Sequence, residues 1–455
     1  MNYLADGIDD QFSDFVERIT PLLVIDHAGR AGNGFFQTIF DQHPQVIACP
    51  WMHYVYSYLI SEFDSVDAYG SRKIWEFWRN SRYFSLLYRE LDGDQTRLLR
   101  RFGGNPDAVI DREVVRFVFD RLLLGREVVS RKYLIAAIFF SYAKGLGRDV
   151  SKIRYIVCPD SISLRAENID AGFTGRLVDL VMSDYPNTRL VHLERDPRAG
   201  FASTNHQFVN QSGNMYGIRP GNYISSFSNL LRGRFDWEGP FIFGFLLVYF
   251  KRTFETINRK RDQYKDCLIT VRNEDLNLNF TRTMKILSEL LKIDYLDTWT
   301  EDFSPTMLGL PWTGTGAYNS QYQTSIYGPL KNDPDKIART VSGPNAYVTQ
   351  RWRSRLSLTE IFILECALGA ELQQFGYDRV FPENKGLNNL GLVLRFLLPF
   401  KGELPSPRWV LLGLKVGFSE FIHRLFFVFC FPVFYLFSRV SFALYCARFG
   451  VFNSK

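Results

Sequence analysis

The chain has 455 residues, a formal net charge of +6, and 46% hydrophobic and 16% aromatic residues; its pI is near 8.8. That length holds a large core in one or two domains, and so mild a charge suits anionic ligands or a membrane surface while arguing against the concentrated Lys/Arg stripe of a nucleic-acid-binding protein. The six cysteines are scattered with no Cys-x-x-Cys pair, which argues against a disulfide framework or a zinc site and for free thiols in a reducing compartment.

In chain order, residues 1–20 form an acidic segment without the charged-then-apolar order of a cleavable signal, so cytoplasmic residence is expected. The short apolar runs Leu22–Ile25, Tyr155–Val157, Leu190–Leu193 and Leu268–Val271 read as parallel strands. After the first comes Gly29-Arg30-Ala31-Gly32-Asn33-Gly34-Phe35 and then a helical stretch. Glycines there let successive N–H groups face one anion, assisted by the dipole of the following helix, and Arg30 adds a fixed charge. A nucleotide-hydrolysing loop would end in Gly-Lys-Ser/Thr; Asn33-Gly34-Phe35 stands in that place, which argues against Mg²⁺-dependent hydrolysis.

Residues 51–143, rich in Tyr, Phe and Arg, are expected to fold as helices over the sheet, and Glu167–Tyr185 and Phe243–Lys260 have helical spacing. After the strand Leu190–Leu193, the loop opens with Arg195, turns at Asp196-Pro197 and reaches Ser203, eight residues on. A guanidinium grips a phosphate bidentately and a hydroxyl two turns along completes its shell; the alternative is a solvated turn with a local Arg/Asp ion pair. Two anion sites point to a ligand phosphorylated at both ends. Residues 305–349 read as long ligand-contacting loops.

The run GRAGNGFFQTIFDQHP resembles the 5′-phosphosulfate loop of sulfotransferases, and LVHLERDPRAGFASTNH resembles their 3′-phosphate loop, with Arg195 and Ser203 at the family's separation. Val271-Arg272-Asn273-Glu274-Asp275-Leu276 is similar to the family's Arg-x-Glu-Asp-Leu segment, and GLPWTGTGAYNS (309–320) and Arg351-Trp352-Arg353 resemble later landmarks of bacterial members. The five segments occur in family order over roughly residues 20–378. The resemblance implies an α/β fold with a P-loop-like central parallel sheet flanked by helices. It implies the donor 3′-phosphoadenosine-5′-phosphosulfate (PAPS), its product PAP, and transfer of a sulfuryl group to an acceptor hydroxyl or amine without a metal. Gly29 to Phe35, with Arg195 and Ser203, would hold the donor. Ala31 stands where a serine is usual and Asn33-Gly34 replace two hydroxyl residues, so backbone N–H groups and Asn33 would substitute.

In-line transfer asks the protein to position groups and to stabilise charge on the leaving oxygen, a role suited to Arg30, and to supply a general base. The family often takes that base from the segment after the first helix, where His53 is the ionisable group in Ala48–Tyr54. His27, His206 and Asp160 are the reserves, whereas His43 and His192 read as structural.

Three units are expected: the acidic segment 1–20, a catalytic domain 21–378 and an apolar helical extension 379–455. The longest charge-free run in the extension, Leu425–Phe437, is 13 residues and contains Pro432, short of the roughly 20 a spanning helix needs. An interfacial or re-entrant tail is therefore expected, with Lys415, Arg424, Arg439 and Arg448 at headgroup level, peripheral or monotopic on the cytoplasmic face. A hairpin packed on the enzyme or on a second subunit is the alternative. The reading that follows is a membrane-associated sulfotransferase with a glycan or glycolipid acceptor and no nucleic-acid partner, homo-oligomerisation being left open. Against it stand a non-catalytic PAPS/PAP-binding module and a P-loop small-molecule kinase.

Overall fold

The computed structural model describes residues 7–25, 31–49, 55–56, 59, 68–80, 104–105, 108–160, 171–212, 250–251, 254–255, 257–259, 261–312, 343–382, 394–395, 397–401 and 403–448. Helix α1 (Ile8–Arg18) leads into β1 (Thr20–Ile25), α2 (Asn33–Ile39) and β2 (Val46–Ala48). Next come β3 (Ala68–Gly70), α3 (Ser71–Asn80), α4 (Arg112–Leu124), β4 (Val128–Ser130) and α5 (Arg131–Gly145). The chain then alternates: β5 (Tyr155–Pro159), α6 (Ala171–Asp184), β6 (Arg189–Glu194), α7 (Pro197–Ser212), β7 (Leu268–Arg272), α8 (Asn273–Leu278) and α9 (Phe280–Leu291). Short β8 (Thr306–Met307) and β9 (Leu310–Pro311) precede α10 (Ala346–Gln350), α11 (Trp352–Arg355) and α12 (Leu358–Gln374). Helices α13 (Pro407–Val416) and α14 (Phe418–Arg448) follow.

The four strands read from the apolar runs form one sheet, joined at its edge by β2, in the order β2-β5-β1-β6-β7, and every pairing in it is parallel. Successive strand residues point to opposite faces, and both faces are covered. Leu23, Ile25, Ile47, Ile156 and Leu190 enter a core with α1, α4, α5 and α6, whereas Leu22, Val24, Val46, Val157 and Leu193 enter a second core with α2, α8 and α9. Burial on both sides is why these strands are continuous apolar runs rather than alternating ones. Val46–Ala48 escapes sequence reading because three residues are too few to show a period.

Local chemistry fixes the helix ends. Ser130 and Asp111 accept N-cap bonds from Tyr133 N–H and Val114 N–H, and Ser357 and Glu360 form a capping box at α12. Arg131, fully buried, forms a bidentate pair with Asp184 (2.6 and 2.8 Å), tying α5 to α6. His43 is structural, as its His-Pro setting suggested. It is buried against Trp299, with Nε2 2.9 Å from Asp294 O and Nδ1 accepting from Gln45 N–H. His192, mid-strand in β6, is buried and its pKa is pushed down to about 3 by desolvation, then by Arg261. Of the expected loop region 305–349, the described parts hold the β8–β9 pair and α10. The expected helix Phe243–Lys260 lies largely outside the described residues.

The tail departs from the expected arrangement in one respect. Its α14 is a continuous helix of 31 residues through Pro432, and Arg424 and Arg439, expected at headgroup level, are buried instead. Arg424 pairs with Glu420 (2.9 Å) and donates to Trp409 O (2.6 Å). Arg439 pairs with buried Glu403 and stacks over Phe400 at 4.1 Å. Carboxylates one helical turn away or on the preceding segment offset the charge of these guanidinium groups inside the protein.

Candidate functional site

Ligands of open parallel sheets gather beyond the strand C-termini. There, β1 and β6 are neighbours, with Ile25 opposite His192, so the two loops read as anion sites leave adjacent strands, which lie about 4.8 Å apart. Beyond β1, Ala31 is buried in the core under the sheet. A hydroxyl there would need a buried partner, which accounts for alanine in place of serine. Gly32 follows with φ 110° as the N-cap of α2. Phe36 N–H closes the first helical bond on Gly32 O at 2.8 Å, so the N–H groups of Asn33, Gly34 and Phe35 precede that bond and point out of the helix end. The Phe35 ring packs toward Phe280 and Phe303, 6.3 and 6.5 Å between centroids. Its contribution to the loop is therefore its backbone. A Cβ on Gly34 would meet no atom of the described residues within 4 Å.

Gly32 touches the start of α8. A Cβ there would stand 2.3 Å from Asn273 Nδ2. Asn277 Nδ2 in turn donates to Asn273 O (2.7 Å) and Oδ1 (3.2 Å), and Asn277 Oδ1 accepts from Asn345 N–H (3.0 Å). Asn345 caps α10 by accepting from Tyr347 N–H, and from α10 Val348 O accepts from Arg195 Nη2 at 3.4 Å. A chain of three asparagines and one short helix thus connects the glycine loop to the arginine loop.

In that second loop the local ion pair forms between Asp196 and Arg198, and Arg195 stands beside it. Asp196 accepts from Arg198 backbone N–H (2.9 Å), capping α7, and from its guanidinium at 2.8 and 3.0 Å. Arg198 also reaches Glu365 at 2.6 Å and stacks over Trp352 at 4.3 Å. Arg195 is 5% exposed at the sheet edge. Burial lowers its pKa, and Glu274 and Asp196 oppose that shift. Ser203 is buried two turns into α7.

A carboxylate cluster missed by the sequence reading lies directly beneath. Glu194, paired in register with Arg272, is buried with Oε1 unpaired. Its pKa is raised to about 8 by desolvation, against the opposing pull of Arg272 and Tyr377. Glu274 accepts from Asp196 N–H (3.1 Å) and Tyr377 O–H (2.9 Å), and Arg272 stacks over Tyr377 at 4.6 Å. The signal for it was present, because Glu194 and Arg272 each end an apolar strand run, where a polar side chain emerges at the ligand-bearing edge.

Of the remaining site residues, Gly29, Arg30, His27 and His53 lie outside the described residues, as does the side chain of His206, whose backbone belongs to α7. Asp160 is buried at the end of β5, its N–H bonded to Val24 O (2.9 Å). It therefore sits at the root of the glycine loop. Among the described residues no group of His, Cys, Asp and Glu could hold a metal ion.

The class that these elements define is a parallel α/β fold with two loop sites on adjacent strands. No family model matches the chain, and no curated protein matches it. Among solved structures it is similar to the sulfotransferase domain from the curacin biosynthetic pathway, at 11% identity over 79% of this chain and 99% of that one, TM-score 0.41. It is also similar to the sulfotransferase domain from the Synechococcus PCC 7002 olefin synthase, at 12% identity over 79% and 96% of the two chains, TM-score 0.37.

Proposed function

We propose that the protein transfers a sulfuryl group from PAPS to a hydroxyl or amine of a glycan or glycolipid acceptor, on the cytoplasmic face of a membrane. The observation that carries the reading is the juxtaposition of the glycine loop after β1 and the Arg195–Ser203 loop after β6, on neighbouring strands and bridged through Asn273. Two loops on adjacent strands support a reading in which one bisphosphorylated nucleotide engages both. Glycine at position 32 lets the loop close on Asn273, where a Cβ would stand 2.3 Å from Nδ2. The donor carries its sulfuryl group as a phosphosulfate anhydride: the acceptor oxygen or nitrogen bonds to sulfur as the bond from sulfur to the 5′-phosphate oxygen breaks, PAP leaves, and the acceptor's proton passes to the base.

The residues divide the work. Backbone N–H groups of residues 32–35 and Arg30 hold the 5′ end and the charge that develops on the leaving oxygen. Arg195 and Ser203 hold the 3′-phosphate, and Glu274 beside Arg195 keeps that cation oriented in its buried position. His53 is the assigned base for the acceptor proton.

Calorimetric titration of the detergent-purified full chain with adenosine 3′,5′-bisphosphate, compared with ATP-Mg²⁺, tests the donor assignment. Binding of the bisphosphate that Arg195→Ala weakens is the expected result; a preference for ATP-Mg²⁺ turns the assignment to a kinase. Labelled donor then separates transfer from mere binding, since a binding module holds PAPS and releases no labelled acceptor.

A further inference from the structure

Helix α14 is built inside out. Its two described charged-and-buried side chains, Arg424 and Arg439, face the protein and meet Glu420 and Glu403. Its solvent-facing side is apolar: Phe418 (72% exposed), Ile422, Phe426, Phe429 (80% exposed), Val433 and Leu436 recur every three or four residues. These positions fall within roughly 100° of arc at about 100° per residue, and no exposed described position between residues 418 and 440 is charged. A soluble surface helix carries its charges on that side.

We infer that α13 and α14 form a monotopic anchor, with this face of α14 seated in the acyl–headgroup boundary of an anionic bilayer. The argument stands independently of the sulfotransfer reading. From Phe418 to Val440 the stripe runs about 33 Å at 1.5 Å per residue, which alone also suits a spanning helix across a core of about 30 Å. Helix α13 decides between the two orientations. Trp409 packs on Phe427 (5.7 Å between centroids), so exposed Arg408 stands beside the middle of the stripe, and exposed Lys415 stands beside its start. A spanning placement would hold Arg408 in mid-hydrocarbon. Lying in the interface puts both cations at headgroup depth, where they meet anionic lipid, with Leu411 and Leu414, also exposed, beside them.

The test is co-flotation of the full chain with phosphatidylcholine vesicles with and without phosphatidylglycerol. Wild type is expected to float with the anionic vesicles, and Phe429→Glu/Val433→Glu to bind at least about tenfold more weakly. Leu290→Glu, at an exposed leucine of α9, controls for a general effect of added charge and is expected to float as wild type. Equal flotation of the double variant, or a detergent-free wild-type dimer that ignores vesicles, overturns the inference. An impermeant thiol reagent then reads the orientation in sealed vesicles carrying Cys446→Ser/Ala443→Cys, whose new thiol stands at an exposed position at the far end of α14 and is compared with Cys446→Ser alone: modification from outside supports the in-plane placement, and protection until detergent is added overturns it.

Discussion

Gly32 meets Asn273 across the top of β6, and the space between them is too small for a methyl group: a Cβ would lie 2.3 Å from Nδ2. The loop after β1 is thereby pressed on the helix that follows β7, two strands away. The glycine is needed twice, for that contact and for its φ of 110°.

Gly32→Ala is therefore expected to weaken bisphosphate binding and to cost about 1–3 kcal/mol of stability from backbone strain alone. Adding Asn273→Ala removes the collision but leaves the strain, so the double variant should recover part of the loss. Denaturant unfolding of the four proteins gives the coupling; strict additivity would show that the contact does not shape the loop.

Arg195 and Arg198 are three residues apart with opposite expected phenotypes. Arg198 is buried with Asp196 and Glu365, and Arg198→Ala strands those carboxylates, at about 3–5 kcal/mol of stability. Arg195→Ala should leave the fold closer to wild type and lower affinity for adenosine 3′,5′-bisphosphate by about 1.5–3 kcal/mol, the range of hydrogen bonds to charged groups. Unfolding and calorimetry on both variants separate the roles.

The sheet and the second loop were legible because each rests on local signals: apolar runs for the strands, and a strand followed by Arg-Asp-Pro-Arg for the loop. The pairing of Arg198 with Glu365 was not, since 167 residues separate them and nothing in either segment announces the other. Nor was the inward turn of Arg424 and Arg439, because a charge in an apolar run looks the same whether it snorkels or finds a carboxylate. Asn273 stands in the sequence only as part of a motif; its contact with Gly32 depends on the strand order.

Glu194 carries a pH signature. Its pKa in the folded protein, about 8, lies above the unfolded value of about 4.3, so the folded state holds a proton that the unfolded state has released between those limits. Its contribution to stability is fully present below the unfolded pKa and is lost as pH rises through about 8. Glu360, raised to about 7 by burial, acts in the same direction. Stability measured from pH 5 to 9 should fall less steeply in Glu194→Gln than in wild type; superimposable slopes would place the proton elsewhere.

Arg439 and Glu403 are 4% and 2% exposed at their side chains, and Glu403 also accepts from Phe400 N–H at 2.8 Å. Arg439→Met leaves a buried carboxylate without its cation, at an expected cost of about 3–5 kcal/mol, whereas Arg439→Met/Glu403→Gln removes both charges and should return close to wild type. Global unfolding is too blunt to read this if the tail opens by itself, so the measurement is the rate of limited proteolysis within residues 401–440. Fast cleavage of the single variant and slow cleavage of the double variant would show that the pair, rather than apolar packing alone, holds α14 against the segment before α13. Equal rates for all three proteins would assign that task to Phe400 and Tyr435, whose rings flank the Arg439 guanidinium at 4.1 and 4.6 Å.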